Sequence, residues 1–204
     1  KIMAYDSVAS TNAWRKKALL VSDDTDGIYD FKAANNTNVA AYLTAGGVIN
    51  LTKAYFGDPG YGNADAMRTT IRNKINEGTR VVSYFGHGAI DYWAQEDFFD
   101  GTDVDGLGNT VYPLFTALTC ENGDFDEPSK ECLAEQLIER AGHGAAACMA
   151  AAGLSYESSA EAFAAGFYQG LVNTQACRRA GDAMNAGLMK LWSNSATASE
   201  LLFY

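Results

Sequence analysis

The sequence contains only two histidines and four cysteines in 204 residues, and no two cysteines form a CxxC pair. Without that pairing or any metal-ligand spacing, no zinc site is expected. Positive charge is also short, 15 Lys and Arg against 25 Asp and Glu, for a net charge of -10. A field of that sign repels nucleic acid and anionic membranes and attracts basic peptides. No apolar run approaches the ~20 residues of a membrane span, so membrane insertion is not expected. The opening KIMAYD has no signal-peptide profile and does not read like a natural start. A removed export signal would leave the same sequence, so compartment stays open. Cys148 in an apolar run and Cys177 in a helical one read as buried free thiols, with disulfides the alternative.

What is present suits one well-buried core, since 48% of the residues are hydrophobic. The run through Ser22 reads as a first strand stopped by Asp23-Asp24-Thr25-Asp26-Gly27. Asp30 stands as an N-cap before the helical spacing Phe31, Ala34, Val39, Ala40 and Leu43, which Gly46-Gly47 closes. A second strand is expected over 48–56, then a helix from Asn63 or Asp65 to Gly78. Later helices are expected over 129–140, 157–172 and 175–192, with a strand over 144–152 between them. The βαβα rhythm predicts an α/β fold, a three-layer αβα sandwich with a mainly parallel central sheet.

The stretch 81–88, VVSYFGHG, is a buried-strand pattern that stops at one polar side chain, His87, between two glycines. The glycines would let a substrate backbone come close and leave the Gly88 N–H free to meet a ligand. One strand later YPLFTALT ends in the same way at Cys120. Two neighbouring parallel strands would place His and Cys side by side beyond their carboxyl ends, where open α/β sheets put their chemistry. The second GHG, at 142–144, follows a helix and precedes a strand, so His143 reads as a helix C-terminal residue. Between the two motifs, 91–110 reads as a long polar, aromatic, functional loop. Its Asp100, Asp103 and Asp105 form either a solvated acidic loop or, in the alternative, a site for a structural calcium ion, although the EF-hand pattern is missed.

KIMAYD, WRKKALLVSDD, YFGHG followed by Trp93, and CENGDFDEPSKECLAEQL occur in order over almost the whole chain. In these motifs the sequence resembles the gingipain family of cysteine peptidases, and the resemblance implies a caspase-like fold for 1–204 as a single catalytic subdomain. It further implies Cys120 as nucleophile, His87 as its acid/base partner and Asp24 as the acid that orients the histidine, with Asp23 competing for that role. Asp30 falls where the family places an acid under a basic P1 side chain, Tyr156 where it places a pocket-wall aromatic, and Trp93 joins the substrate-binding candidates. N-cap and core-edge roles are the rival readings of Asp30 and Tyr156. The catalytic part of a gingipain follows another subdomain and precedes a Gly-Asp-Pro motif, both missing here, so a fragment or processed chain is expected.

The resulting expectation is a cysteine endopeptidase, secreted or at the cell surface, that needs no cofactor and cuts protein or peptide substrates after Arg or Lys. Backbone N–H groups of Gly88 and Cys120 would form the oxyanion hole. Other parts of the same precursor would be further partners. Acyl transfer to an amine on the same fold and a catalytically silent binding module are the rival readings.

Overall fold

The computed structural model describes residues 13–27, 29–172 and 179–194. KIMAYD, Cys177, and the start of the helix expected from residue 175 lie outside the described residues. A short 3-10 turn, Ala13–Lys16, leads into β1 (Lys17–Ser22). The chain continues through the hairpin β2 (Thr25–Asp26) and β3 (Tyr29–Asp30) to helix α1, where α-helical Phe31–Asn35 and Ala41–Ala45 flank a π-helical Asn36–Ala40. Next come β4 (Asn50–Tyr55), α2 (Ala64–Asn76) and β5 (Val81–Phe85). The small strands β6 (Gly88–Ala89), β7 (Tyr92–Trp93) and β8 (Phe99–Asp100) precede α3 (Gly101–Asp105). The chain closes with β9 (Leu114–Leu118), α4 (Leu133–Glu139), β10 (Ala147–Ala150), α5 (Glu157–Val172) and α6 (Ala180–Ser193).

Five strands form one parallel sheet in the order β10-β9-β5-β1-β4. Alternation of side chains divides the core between its two faces. Leu20, Val81 and Phe85 pack with Phe31, Leu43, Phe163 and Phe167 of α1 and α5. Leu19, Val21, Val82 and Tyr84 pack with Met67, Ile71, Leu133 and Leu137 of α2 and α4. The result is the three-layer αβα arrangement. From β1 the chain first moves outward to β4 and then crosses back to β5, so the winding reverses between β1 and β5. That crevice, at the strands' carboxyl ends, is where an open α/β sheet leaves room for a ligand.

Two expected elements differ. The helix expected over 129–140 occupies only Leu133–Glu139, because the Cys132 N–H donates to Glu135 and starts the helix there, while Glu127 holds Ser129 in a turn. The 91–110 loop is not irregular: β6, β7 and β8 form an antiparallel sheet and Asp100 caps α3. Arg68 of α2 fastens it, reaching Asp103 at 2.5 Å and Asp100 and Asp97 at 3.2 Å each. Asp105 pairs with Arg140 at 2.7 Å. The acidic loop thus takes its counter-charge from arginine, and among the described residues no group of three or more His, Cys, Asp or Glu is placed to hold a metal ion.

Candidate active site

β5 is buried along its whole length and delivers the chain to Gly86, where a Cβ would collide with the Tyr84 hydroxyl and with Asp23 Cβ at 2.5 Å. The turn that follows is locked through its backbone. The His87 N–H donates to Asp23 Oδ2 at 3.2 Å, and its carbonyl accepts from the Ala94 N–H at 2.8 Å and from the Tyr84 hydroxyl. Asp23 is 3% exposed, and burial raises its pKa against the lowering effect of the Asp24 and His87 N–H groups. This anchoring acid is inside the fold, whereas Asp24 is exposed and shows only its backbone N–H turned back to Asp23 Oδ1.

The imidazole therefore projects from a fixed backbone. Its Nε2 lies 2.8 Å from Asp26 Oδ2, and the ring meets Phe31 edge-on with centroids 5.2 Å apart. The resemblance implies Asp24 as the orienting acid; in the structure the carboxylate in contact with the imidazole is that of Asp26, because the β2–β3 hairpin turns back immediately after β1 and carries Asp26 to the ring. A carboxylate only accepts, so Nε2 carries a proton and Nδ1 is left as the basic nitrogen of neutral His87.

β9 pairs with β5 in register from Val81 opposite Leu114 to Phe85 opposite Leu118. Cys120, two residues past β9, and His87, two past β5, consequently line one cleft with Phe31, Ser155 and Glu157. Cys120 Sγ accepts the Ser155 N–H at 3.4 Å and faces the Ser155 carbonyl at 3.6 Å. The thiol and the imidazole share the cleft without a hydrogen bond between them.

Behind the thiol, Glu121 adopts a left-handed backbone with φ of 57°. Bonds from the Glu121 N–H to Gly153 O at 3.0 Å and from the Gly123 N–H to Ala151 O at 2.9 Å hold it there. A strained residue adjoining a candidate nucleophile is where such strain is usually kept. Asn122, a residue that sequence reasoning passes over, is 1% exposed. Its Oδ1 accepts the Trp93 Nε1–H at 2.6 Å, while Nδ2 donates to the carbonyls of Ala89 and Tyr92. It ties the cysteine loop to the histidine loop. Within CENGDF it looks like an ordinary turn residue, and only the nearby Trp93, in need of a partner, hints otherwise.

Trp93 is 0% exposed and stacks on Tyr84 with centroids 4.6 Å apart and planes 10° apart. It is a buried support beneath the histidine loop, not a substrate-binding surface, since pairing of β7 with β6 turns its ring inward. Gly88 faces Trp93 in that pair, and the flanking Ala94 N–H to His87 O bond marks the pair as non-hydrogen-bonded. The Gly88 N–H therefore points away from β7. Tyr156 is 66% exposed beside Ser155, and its carbonyl accepts N–H groups at the start of α5. Asp30 caps α1, with Oδ1 2.9 Å from the Ala33 N–H, and is not among the cleft-lining residues. The carboxylate that does line the cleft belongs to Glu157. His143 lies in the turn after α4, on the amino side of β10.

A family model described as Peptidase family C25 matches residues 1–203. The chain belongs to this family. No curated protein sequence matches it. Among solved structures, this C25 chain is similar to the Arg-specific cysteine proteinase gingipain R (RgpB), with 22% identity, 96% of this chain and 46% of that one covered, and a TM-score of 0.82. It is similar to a complex of Porphyromonas gingivalis RgpB pro- and mature domains, with 21% identity, 98% and 48% covered, and a TM-score of 0.83. A structure described as a protease gives 16% identity, 97% and 47% covered, and a TM-score of 0.76. The C25 chain has the caspase-like gingipain fold and spans about half the length of these structures.

Proposed function

We propose that the chain is the catalytic subdomain of a cysteine endopeptidase that cuts protein or peptide substrates after Arg or Lys. The observation that carries the proposal is the placement of His87 and Cys120 beyond the carboxyl ends of two adjacent paired strands, lining one cleft, in a chain of a peptidase family.

Nδ1 of His87 takes the thiol proton, and the Cys120 thiolate adds to the scissile carbonyl. The S–C bond forms as the carbonyl π pair moves onto oxygen. The backbone N–H groups of Gly88 and Cys120 receive that oxyanion, at about 3 kcal/mol per donor in the transition state. On collapse the C–N bond breaks, His87 returns the proton to the leaving amine, and a thioester remains. Water, activated by the same imidazole, adds to the thioester and releases acid and thiol. Asp26 orients the ring by holding the Nε2 proton, whereas the hydrogen bond of Asp24 runs from its backbone N–H to Asp23 Oδ1.

Recognition of a basic residue before the cut needs a carboxylate, because a guanidinium or ammonium leaves part of its hydration behind. Asp30, which the resemblance puts in that role, keeps one oxygen on the α1 cap outside the cleft lining, and Glu157 is the carboxylate that lines the cleft. Tyr156, exposed and lying in sequence between the cleft-lining Ser155 and Glu157, would lay its ring against the stem and charge for about 0.5–2 kcal/mol. The name of the RgpB complex, pro- and mature domains together, supports a precursor segment as a further partner, and the resemblance supports action outside the cell.

A peptide library read for the residue before the cut tests the proposal. Arg and Lys should dominate, and Glu157→Gln or Asp30→Asn should weaken that preference. Cleavage after small or apolar residues contradicts it. Added amine that appears in the product in place of water would make the chain a transferase.

A further inference from the structure

Thr119 immediately precedes the candidate nucleophile, is 4% exposed and lines the cleft shared by His87 and Cys120. Its hydroxyl is buried and has no hydrogen-bond partner among the described residues. It also faces Gly88 closely: a Cβ there would lie 2.6 Å from Thr119 Oγ1 and 3.3 Å from its Cγ2. Gly88 is bare at this point because the threonine fills the space. Folded proteins rarely leave a buried hydroxyl unpaired, and valine would fill the same volume without that penalty. An unpaired donor between Gly88 and Cys120 is therefore accounted for if its partner arrives with the substrate.

We infer that Thr119 is a third donor of the oxyanion hole. The inference rests on the peptidase reading above. When the Cys120 thiolate adds to the carbonyl, the new anionic oxygen can only accept, and the Thr119 O–H turns to donate to it beside the two backbone N–H groups. The hydroxyl keeps its proton throughout, and the leaving amine takes its proton from His87. The ligand recognised is an oxygen bearing the charge of a tetrahedral adduct, so the contact is stronger in the transition state than with the planar carbonyl.

The test compares wild type with Thr119→Val and Thr119→Ser, using a fluorogenic peptide, a peptide aldehyde that forms a thiohemiacetal, and iodoacetamide. Thr119→Val is expected to lower kcat by about 100- to 1000-fold with little change in KM, as loss of one oxyanion donor does. Aldehyde inhibition should weaken in parallel, alkylation of Cys120 by iodoacetamide should keep its wild-type rate, and the midpoint of thermal unfolding should not fall. Thr119→Ser, which keeps the hydroxyl, should recover most of the lost kcat. The assignment is overturned if Thr119→Val turns over like wild type, if serine is as impaired as valine, or if alkylation slows as much as turnover, which would mean a displaced thiol. A wild-type chain that cuts no peptide refutes the peptidase reading and this inference together. One that cuts while Thr119→Val matches it refutes only the inference.

Discussion

Asp26 Oδ2 lies 2.8 Å from His87 Nε2, although the two residues are 61 positions apart and Asp26 sits on a two-residue strand of a hairpin. The pair is largely exposed, with side-chain exposures of 41% for His87 and 62% for Asp26. Solvent and salt screen such a pair, which limits its contribution to about 0–1 kcal/mol. Its value is orientation and choice of tautomer.

Asp26→Asn is accordingly expected to lower kcat/KM by roughly 3- to 5-fold, the loss matching a weak orienting contact. Asp24→Asn should stay within about twofold of wild type, as the change of an exposed side chain that does not hold the imidazole does. Steady-state kinetics on both variants checks this. A larger loss for Asp24→Asn would return the orienting role to that residue.

Asn122 carries more of the site than its exposed neighbours do. Asn122→Ala would leave the Trp93 indole N–H and the carbonyls of Ala89 and Tyr92 without their buried partner. At about 1–3 kcal/mol for an unsatisfied buried group, a loss of about 2 kcal/mol is expected. For a domain of this size that is a Tm decrease of roughly 4–8 °C. Calorimetry or a thermal melt reads it directly, and an unchanged midpoint contradicts the tie between the two loops.

The acidic loop makes a pH-dependent contribution. Burial acts to raise the Asp100 pKa, but hydrogen bonds from Thr102, Asp103 and Arg68 outweigh it and bring the carboxyl down to about 2 from 3.8. A group with a depressed folded pKa adds stability above its unfolded value and loses it as pH falls through the folded one. The stability advantage of wild type over Asp100→Asn should thus be full near pH 5 and fade between pH 4 and pH 2. Asp103 has the opposite sign, since burial raises its pKa despite Arg68, so its contribution is lost as pH rises. Denaturant titrations of wild type and Asp100→Asn at several pH values check the Asp100 effect; an advantage that persists at pH 2 contradicts it.

The strand ends are legible in the sequence because a buried apolar run that stops at a single polar residue fits a central strand and little else, and β5 and β9 do end just before His87 and Cys120. The helix cap at Asp30 is legible for a similar reason, a short polar side chain before a helical spacing. What cannot be read depends on distant pairing. The distinction among Asp23, Asp24 and Asp26 lies in a turn whose direction follows from the β2–β3 pairing, and nothing in three acids within four residues encodes it. Trp93 looks like a surface aromatic because it follows a glycine-rich motif, but Asn122, 29 residues on, supplies the buried partner that lets its indole go inside. The glycines of YFGHG suggest room for a substrate, whereas Gly86 and Gly88 are bare first of all because Asp23 and Thr119 press against them.

The role of Cys120 as the nucleophile, prepared by His87, is tested most directly by site-resolved labelling. The chain would be incubated with a peptidyl-arginine acyloxymethyl ketone and read by intact mass and peptide mapping, in wild type, Cys120→Ala, His87→Ala and His143→Ala. A single adduct is predicted, on Cys120, formed at equal rates in wild type and His143→Ala, much more slowly in His87→Ala and not at all in Cys120→Ala. Labelling that falls on Cys132 or Cys148, or that proceeds in His87→Ala as fast as in wild type, would contradict it.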